Sequence, residues 1–286
     1  MTSLPERAGR HCHQVLNPLH SCTYFAPEFT DELGRIGVKE RTAYFAARSA
    51  PLGRVGAGTV TATFYNFKYD WVAQHVPAVW DVTTPEAVIE ARLAAADGTL
   101  RRLLGAEVIA SPEMAEAAEL ALRATEACGR AARPLYAAHA DQAVPDAPHL
   151  AFWHAATLLR EHRGDGHLAV LVAAELDGLE AVVSHTASGF GVAPTWARTM
   201  RGWSEEEWVA AQERLRERGL LAPDGELTPA GTALRKELEA ETDRLDRAPY
   251  EHLGAAGVAR LTELATAFAS TAMAAGAFPA DFLGKG

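Results

Sequence analysis

Apolar residues recur at three- and four-residue spacing along most of the chain, with Ala, Leu, Glu and Arg between them. That period belongs to amphipathic helices, and it predicts helices over 30–37, 85–104 and 112–132. Thr84-Pro85 and Ser111-Pro112 sharpen two of the starts, because each sets a cap residue before a proline at the first helical position. A single β-branched run, 59–65, reads as an extended strand among helical neighbours. The expected fold class is mostly α.

The periodicity lapses over 137–149 (AAHADQAVPDAPH), where two prolines and two aspartates mark a linker. This predicts an N-terminal half, 1–136, and a C-terminal half, 150–286, and the two read alike. The first contains RTAYFAARSAPLGRVGAGTVTATF and then WDVTTPEAVIEARLAAADGTLRRLLG; the second contains LAFWHAATLLREHRGDGHLAVLVAAEL and then RGWSEEEWVAAQERLRERGLL. Each runs as an aromatic-rich helix, a tight glycine turn, an apolar helix, and a helix opened by Trp, a Ser/Thr cap and acids. An internal duplication of this kind predicts packing about a pseudo-two-fold axis, with a shared cleft between the halves as the natural place for a ligand.

The sharpest local signal lies at 203–245. Ser204 with Glu207 three residues on forms a capping box, and Trp208, Ala211 and Leu215 share the apolar face of the helix that follows, up to a stop at Gly219. Asp224-Gly225 then sets the turn of a short β-hairpin near 220–228, and Thr228-Pro229 opens a long helix ending near Leu245. The stretch LRERGLLAPDGELTPAGTALRKELEAETDRL resembles the recognition helix, wing and following helix of MarR-type winged-helix regulators. The whole chain, through YFAPE near its start and LREHRGDGH at its middle, resembles a family of actinobacterial helix-turn-helix proteins. These resemblances imply two winged-helix-like halves and raise the prospect of a ligand-responsive transcription regulator.

Charge argues against DNA as the partner. Lys plus Arg number 27 against 37 Asp plus Glu, a net charge of −10. Such a balance repels nucleic acid at long range. In the regulators the chain resembles, the first turn of the recognition helix meets phosphates and bases; here it reads Ser204-Glu205-Glu206-Glu207. Those carboxylates suit the helix dipole and oppose a phosphate backbone. The equivalent turn of the first half, Thr84-Pro85-Glu86, is also acidic, and Arg214, Arg216 and Arg218 are expected to pair with Glu213 and Glu217.

Hydrophobic residues make up 48 % and charged residues 22 % of the 286 positions, enough to bury a substantial core. No run of about 18 apolar residues occurs without a charge, which excludes a transmembrane helix. The opening MTSLPERAGRHCH has no apolar run of a signal peptide, which points to the cytoplasm. Cys12, Cys22 and Cys128, odd in number and without ligand spacing, read as reduced thiols. No phosphate loop, dinucleotide fingerprint or nucleophile elbow is present, so ATP- and NAD-linked chemistry has no support.

Candidate chemistry concentrates in Arg160-Glu161-His162-Arg163-Gly164-Asp165-Gly166-His167, flanked by apolar helix on both sides. Its two glycines predict a tight turn between those helices, with converging backbone amides as an anion nest. His162 and His167 suit proton transfer, Asp165 suits the orientation of a histidine, and Arg163 suits a bidentate grip on a carboxylate or phosphate. His154 lies two helical turns before His162 and shares its face. His20, Tyr24, Tyr44 and Arg48 are the expected further ligand contacts, within an aromatic concentration that also holds Phe45, Phe64, Tyr65, Phe67, Tyr69 and Trp71 and is otherwise core. Eleven histidines raise the question of metal, yet no HExxH, CxxC or HxxxH spacing occurs, and His11-Cys12-His13 falls in a segment expected to fray. No metal ligands are assigned; a haem needs one axial histidine only, such as His20, His162 or His167, and is not favoured.

The sequence thus points to a small-molecule-binding protein on a degenerate winged-helix scaffold, with acid–base chemistry (isomerisation, cyclisation or elimination) of specialised metabolism and no nucleotide cofactor. The alternatives are a MarR-like regulator and a protein that sequesters a metabolite or haem. The expected partner is a small organic ligand rather than nucleic acid or membrane, and the chain acts as a monomer or homodimer.

Overall fold

The computed structural model describes residues 4–189 and 191–279. Within them the chain forms fourteen α-helices. The first seven are α1 (Ala8–Ser21), α2 (Pro27–Arg35), α3 (Glu40–Ser49), α4 (Ala57–Phe64), α5 (Tyr69–Val72), α6 (Pro85–Ile109) and α7 (Pro112–Thr125). The rest are α8 (Pro134–Ala140), α9 (Pro148–Ala173), α10 (Gly178–Ala187), α11 (Pro194–Met200), α12 (Glu205–Glu217), α13 (Pro229–Leu245) and α14 (Arg247–Ala274). Thr84 and Ser111 cap α6 and α7 through their hydroxyls, which accept from the amides of Ala87 and Met114 at 3.2 and 3.1 Å. Among the described residues no helix is long and apolar enough to cross a membrane.

The run 59–65 is helical rather than extended. Val60 and Phe64 enter a packed core one helical turn apart, and the Thr63 hydroxyl donates back to the Thr59 carbonyl at 3.0 Å. Burial of a helical face overrides β propensity here. The predicted hairpin contracts to one antiparallel bridge, Leu221 with Leu227, around Asp224-Gly225. Gly225 takes φ 88° and the amide of Ala222 donates to the carbonyl of Glu226 at 2.8 Å, so the wing exists as a turn with a single rung. The segment His11-Cys12-His13 does not fray: it is central to α1, Cys12 is fully buried, and α1 packs along α9 and α14.

Three apolar clusters make the core. One joins α1, the second half of α6, α7, the first half of α9 and α14, so it draws on both halves of the sequence. A second gathers α2, α3, α4, the segment around Trp80 and the first half of α6. A third packs the end of α9 with α10, α11, α12 and the wing. Helix α8 runs across position 136, and the non-helical connection to α9 is 141–147. All three cysteines are free thiols.

Helix α9 passes from the first core, through Phe152 and Leu159, to the third, through Val170 and Leu171. The charged segment 160–167 lies between these stretches as uninterrupted helix, not as the expected turn. Glycine serves close approach instead of reversal at Gly166, where a Cβ would lie 2.5 Å from the Arg133 guanidinium. Arg133 uses that room to donate to the carbonyls of His162 and Leu245, tying α9 to the end of α13.

Candidate functional site

Helices from all three cores border a cavity of about 490 Å³. Its walls come from α1 (Arg10, His13, Gln14, Asn17), α3 (Tyr44, Arg48), α4 with the loop after it (Thr63, Phe64, Asn66, Phe67), and α9 (Arg160, Arg163, Gly164, Asp165, His167, Leu168). His185 of α10, Arg201 after α11, and Glu239 and Thr242 of α13 complete it. Gly164, with a virtual Cβ 3.9 Å from the Glu161 carboxylate, leaves the wall low in the middle of α9.

Five arginines line this space, and four are committed to carboxylates. Arg48 grips the fully buried Glu161 with Nε and Nη2 at 3.2 and 3.1 Å, and Arg160 pairs with the same carboxylate. Arg10 pairs with Asp243 at 2.6 Å, and Arg163 reaches Asp243 at 2.9 Å and Glu239 at 3.2 Å. Arg201 is different. It donates to the Ala197 carbonyl and lies 5.7 Å from the Phe67 ring centroid, its Nε is buried without a partner, and among the described residues no carboxylate pairs with it. Burial pushes the Arg201 guanidinium below its usual value, with Tyr44 opposing. At Tyr44 burial resists ionisation, but the charges of Arg48 and Arg160 outweigh it and hold the phenol below its ordinary range.

Three imidazoles face the same space in neutral form. His167 Nδ1 lies 2.8 Å from Thr242 Oγ1, whose own proton goes to the Leu238 carbonyl at 2.7 Å. His167 therefore donates from Nδ1 and keeps a lone pair on Nε2. Burial, helped by Arg235 and Arg163 against Glu239, pushes it down to about 4. His185 accepts at Nδ1 from Arg235 Nη2 at 3.2 Å, which leaves its proton on Nε2; burial and Arg235 lower it to about 4. His13 is pushed to about 3 by burial and by Arg163 and Arg160. Asp165 moves the other way. Its Oδ2 accepts from the Tyr136 amide at 2.9 Å while Oδ1 is buried unpartnered; burial and Glu161 raise it to about 6.

Of the residues singled out from sequence, His167, Asp165, Arg163, Arg48 and Tyr44 line the cavity. His162 stands behind the wall, its Nδ1 on Asp246 at 2.7 Å and its ring edge-on to Tyr136. His154 and His20 are buried and do not line the cavity, and His20 holds Thr157 at 2.8 Å while stacking on Trp153. Tyr24 packs between Phe29 and Tyr44 with its hydroxyl unpartnered. Sequence reasoning missed Arg10, His13, Gln14 and Asn17, although their i, i+3, i+4, i+7 spacing puts them on one face of a helix. Arg201, His185, Glu239 and Thr242 carry no such signal. Among the described residues no three His, Cys, Asp or Glu side chains converge so as to hold a metal ion.

The would-be reading helix is anchored to the first half of the chain. Ser204 and Glu207 form the capping box at 3.2 and 2.8 Å, and Lys68 Nζ holds Glu207 at 2.6 Å. Trp203 donates to the Asn66 carbonyl at 2.9 Å, and the Lys68 amide donates to the Arg201 carbonyl at 3.0 Å. Glu205, Glu206, Glu213 and Glu217 occupy exposed positions of α12. The arginines beside them are held. Arg216 pairs with Glu213 as expected at 2.6 Å, but Arg214 reaches back to Asp177 and Glu180 at 2.7 and 2.8 Å. Arg218 donates to the carbonyls of Ala174 and Glu175.

No curated protein and no solved structure matches the chain. The sequence pattern of a helix-turn-helix family matches residues 9–279, nearly the whole length. The chain belongs to this helix-turn-helix family.

Proposed function

We propose that this helix-turn-helix scaffold binds a small anionic organic molecule in the central cavity and carries out acid–base chemistry on it, of the isomerisation, cyclisation or elimination type. The observation that carries the reading is the pairing, around one cavity, of an uncommitted guanidinium (Arg201) with a neutral imidazole presenting a lone pair (His167). Arg201 receives the anionic group, and Arg163, held by Asp243 and Glu239, adds positive charge to the same wall. His167 Nε2 accepts a proton, because its tautomer is fixed by Thr242. Asp165, raised toward neutrality, is the group able to return one. His162 supports the wall through Asp246. The two halves are read as a duplicated scaffold.

Membership of a helix-turn-helix family favours a second reading, a ligand-responsive regulator. The acidic exposed positions of α12 and the cover over its first turn weigh against it. Native mass spectrometry of the freshly purified chain, before and after incubation with a small-molecule extract of the producing cells, tests the first reading. A retained organic anion is expected in the wild type and not in Arg201→Met. Identical unliganded masses for both proteins, together with salt-sensitive, sequence-specific retardation of DNA, overturn it in favour of the regulator.

A further inference from the structure

Arg92 of α6 is only 5 % exposed. Its guanidinium face rests on the Trp153 ring, 4.5 Å from the centroid. Its Nε and Nη2 are both buried and neither has a hydrogen-bond partner. Those two nitrogens form the parallel edge of the side chain, the edge with which Arg48 holds Glu161, Arg102 holds Glu28 and Arg260 holds Glu116. At Arg92 the same fork is open, and among the described residues no carboxylate pairs with it. A guanidinium does not give up its proton in a protein, so the charge persists, and a buried charge without a counter-ion is strongly unfavourable.

The surroundings supply no anion. His139 of α8 and His154 of α9 are both buried, and burial together with the Arg92 charge keeps both imidazoles neutral: His154 falls to about 4 and His139 well below its ordinary value. His139 Nε2 is a further buried atom without a partner. Glu161, whose charge reaches His139, is already shared by Arg48 and Arg160. None of Arg92, His139, His154 and Trp153 lines the central cavity.

We propose that the open edge of Arg92, with Trp153 beneath it and His139 beside it, is a binding site for a planar oxyanion of the carboxylate type. Two oxygens accept from Nε and Nη2 in the bidentate geometry that the other arginines of this chain show. The oxyanion is either a free small ion or the carboxylate end of a longer molecule reaching in from the cavity, and the two sources are separable.

The test is thermal denaturation of the full chain with sodium formate or sodium hexanoate, against sodium chloride at equal ionic strength. A free-ion site gives a saturable rise in Tm with formate that survives Arg201→Met and whose half-saturation weakens about tenfold or more in Arg92→Met. A site for the end of a cavity ligand gives the rise with hexanoate alone, lost in Arg92→Met and Arg201→Met alike. Equal Tm in all three salts, or a formate rise unchanged in Arg92→Met, overturns the proposal. Should Arg92→Met not fold, Arg92→Lys keeps the charge without the fork, and 13C-labelled histidine resonances of the wild type titrated with formate and, separately, with hexanoate report directly: shifts at His139 with at least one of the two are expected, and their absence with both overturns the site.

Discussion

Arg48 and Glu161, 113 positions apart in sequence, meet through two parallel hydrogen bonds of 3.2 and 3.1 Å at the back of the cavity, with the carboxylate wholly withdrawn from solvent. Burial opposes the charge on Glu161, and Arg160 and Arg48 outweigh it, holding the carboxyl well below its ordinary value. Breaking such a pair from one side strands the other charge. Glu161→Leu is expected to cost about 3–5 kcal/mol in chemical denaturation, and the double variant with Arg48→Met to recover more than half of it. A double variant no more stable than the single one would show the pair to be passive.

The cavity imidazoles make stability depend on pH with a definite sign. His13, His167 and His185 stay neutral in the fold down to about 3, 4 and 4, whereas the unfolded chain takes up their protons near 6.5. Below 6.5 the unfolded state binds more protons, so stability falls as pH drops from 6.5 toward 4, by about 1.4 kcal/mol per pH unit for each group. His13→Gln is expected to reduce that slope by about one proton; urea midpoints across this window measure it.

Asp165 carries the opposite sign. Its folded value, about 6, lies above the unfolded value of 3.8, so ionisation at neutral pH costs stability that returns as pH falls through 6. Asp165→Asn keeps an acceptor for the Tyr136 amide and removes the charge. The variant is expected to be more stable at pH 7 by about 1–2 kcal/mol and no more stable at pH 4, while losing proton transfer in the cavity.

Gly202 sits at φ 77°, and a Cβ there would overlap Trp71 Cβ and Cγ. Neither the backbone nor the neighbour can yield cheaply. Gly202→Ala is expected to destabilise by about 2–4 kcal/mol, against about 1 kcal/mol for loss of the Ser204 cap in Ser204→Ala. Thermal denaturation of the two variants side by side checks the order.

Much of the helical plan is legible in the sequence because it rests on local rules. The caps at Thr84, Ser111, Ser204 and Thr228 all form as their side chains dictate. The segment 160–167 misleads because two glycines look like a turn until Arg133, 27 positions or more away, fills the space beside Gly166. Arg163, Asp165 and His167 are visible as charge and imidazole near Gly164, whereas Arg10, His13, Gln14 and Asn17 pass unnoticed on α1. Arg201 and His185 are ordinary in sequence; they become site residues only because the fold brings α10 and the end of α11 to the same cavity as α4.

The segment 65–71, the end of one loop and the start of α5, has two neighbours. Asn66 and Phe67 face the cavity, while Lys68, Trp71 and the Asn66 carbonyl fasten the start of α12. Asn66, Phe67, Lys68 and Trp71 thus join interior to exterior within one short segment, so a substitution that reshapes the chamber also tilts the outer helix, and these two properties must drift together through evolution rather than separately.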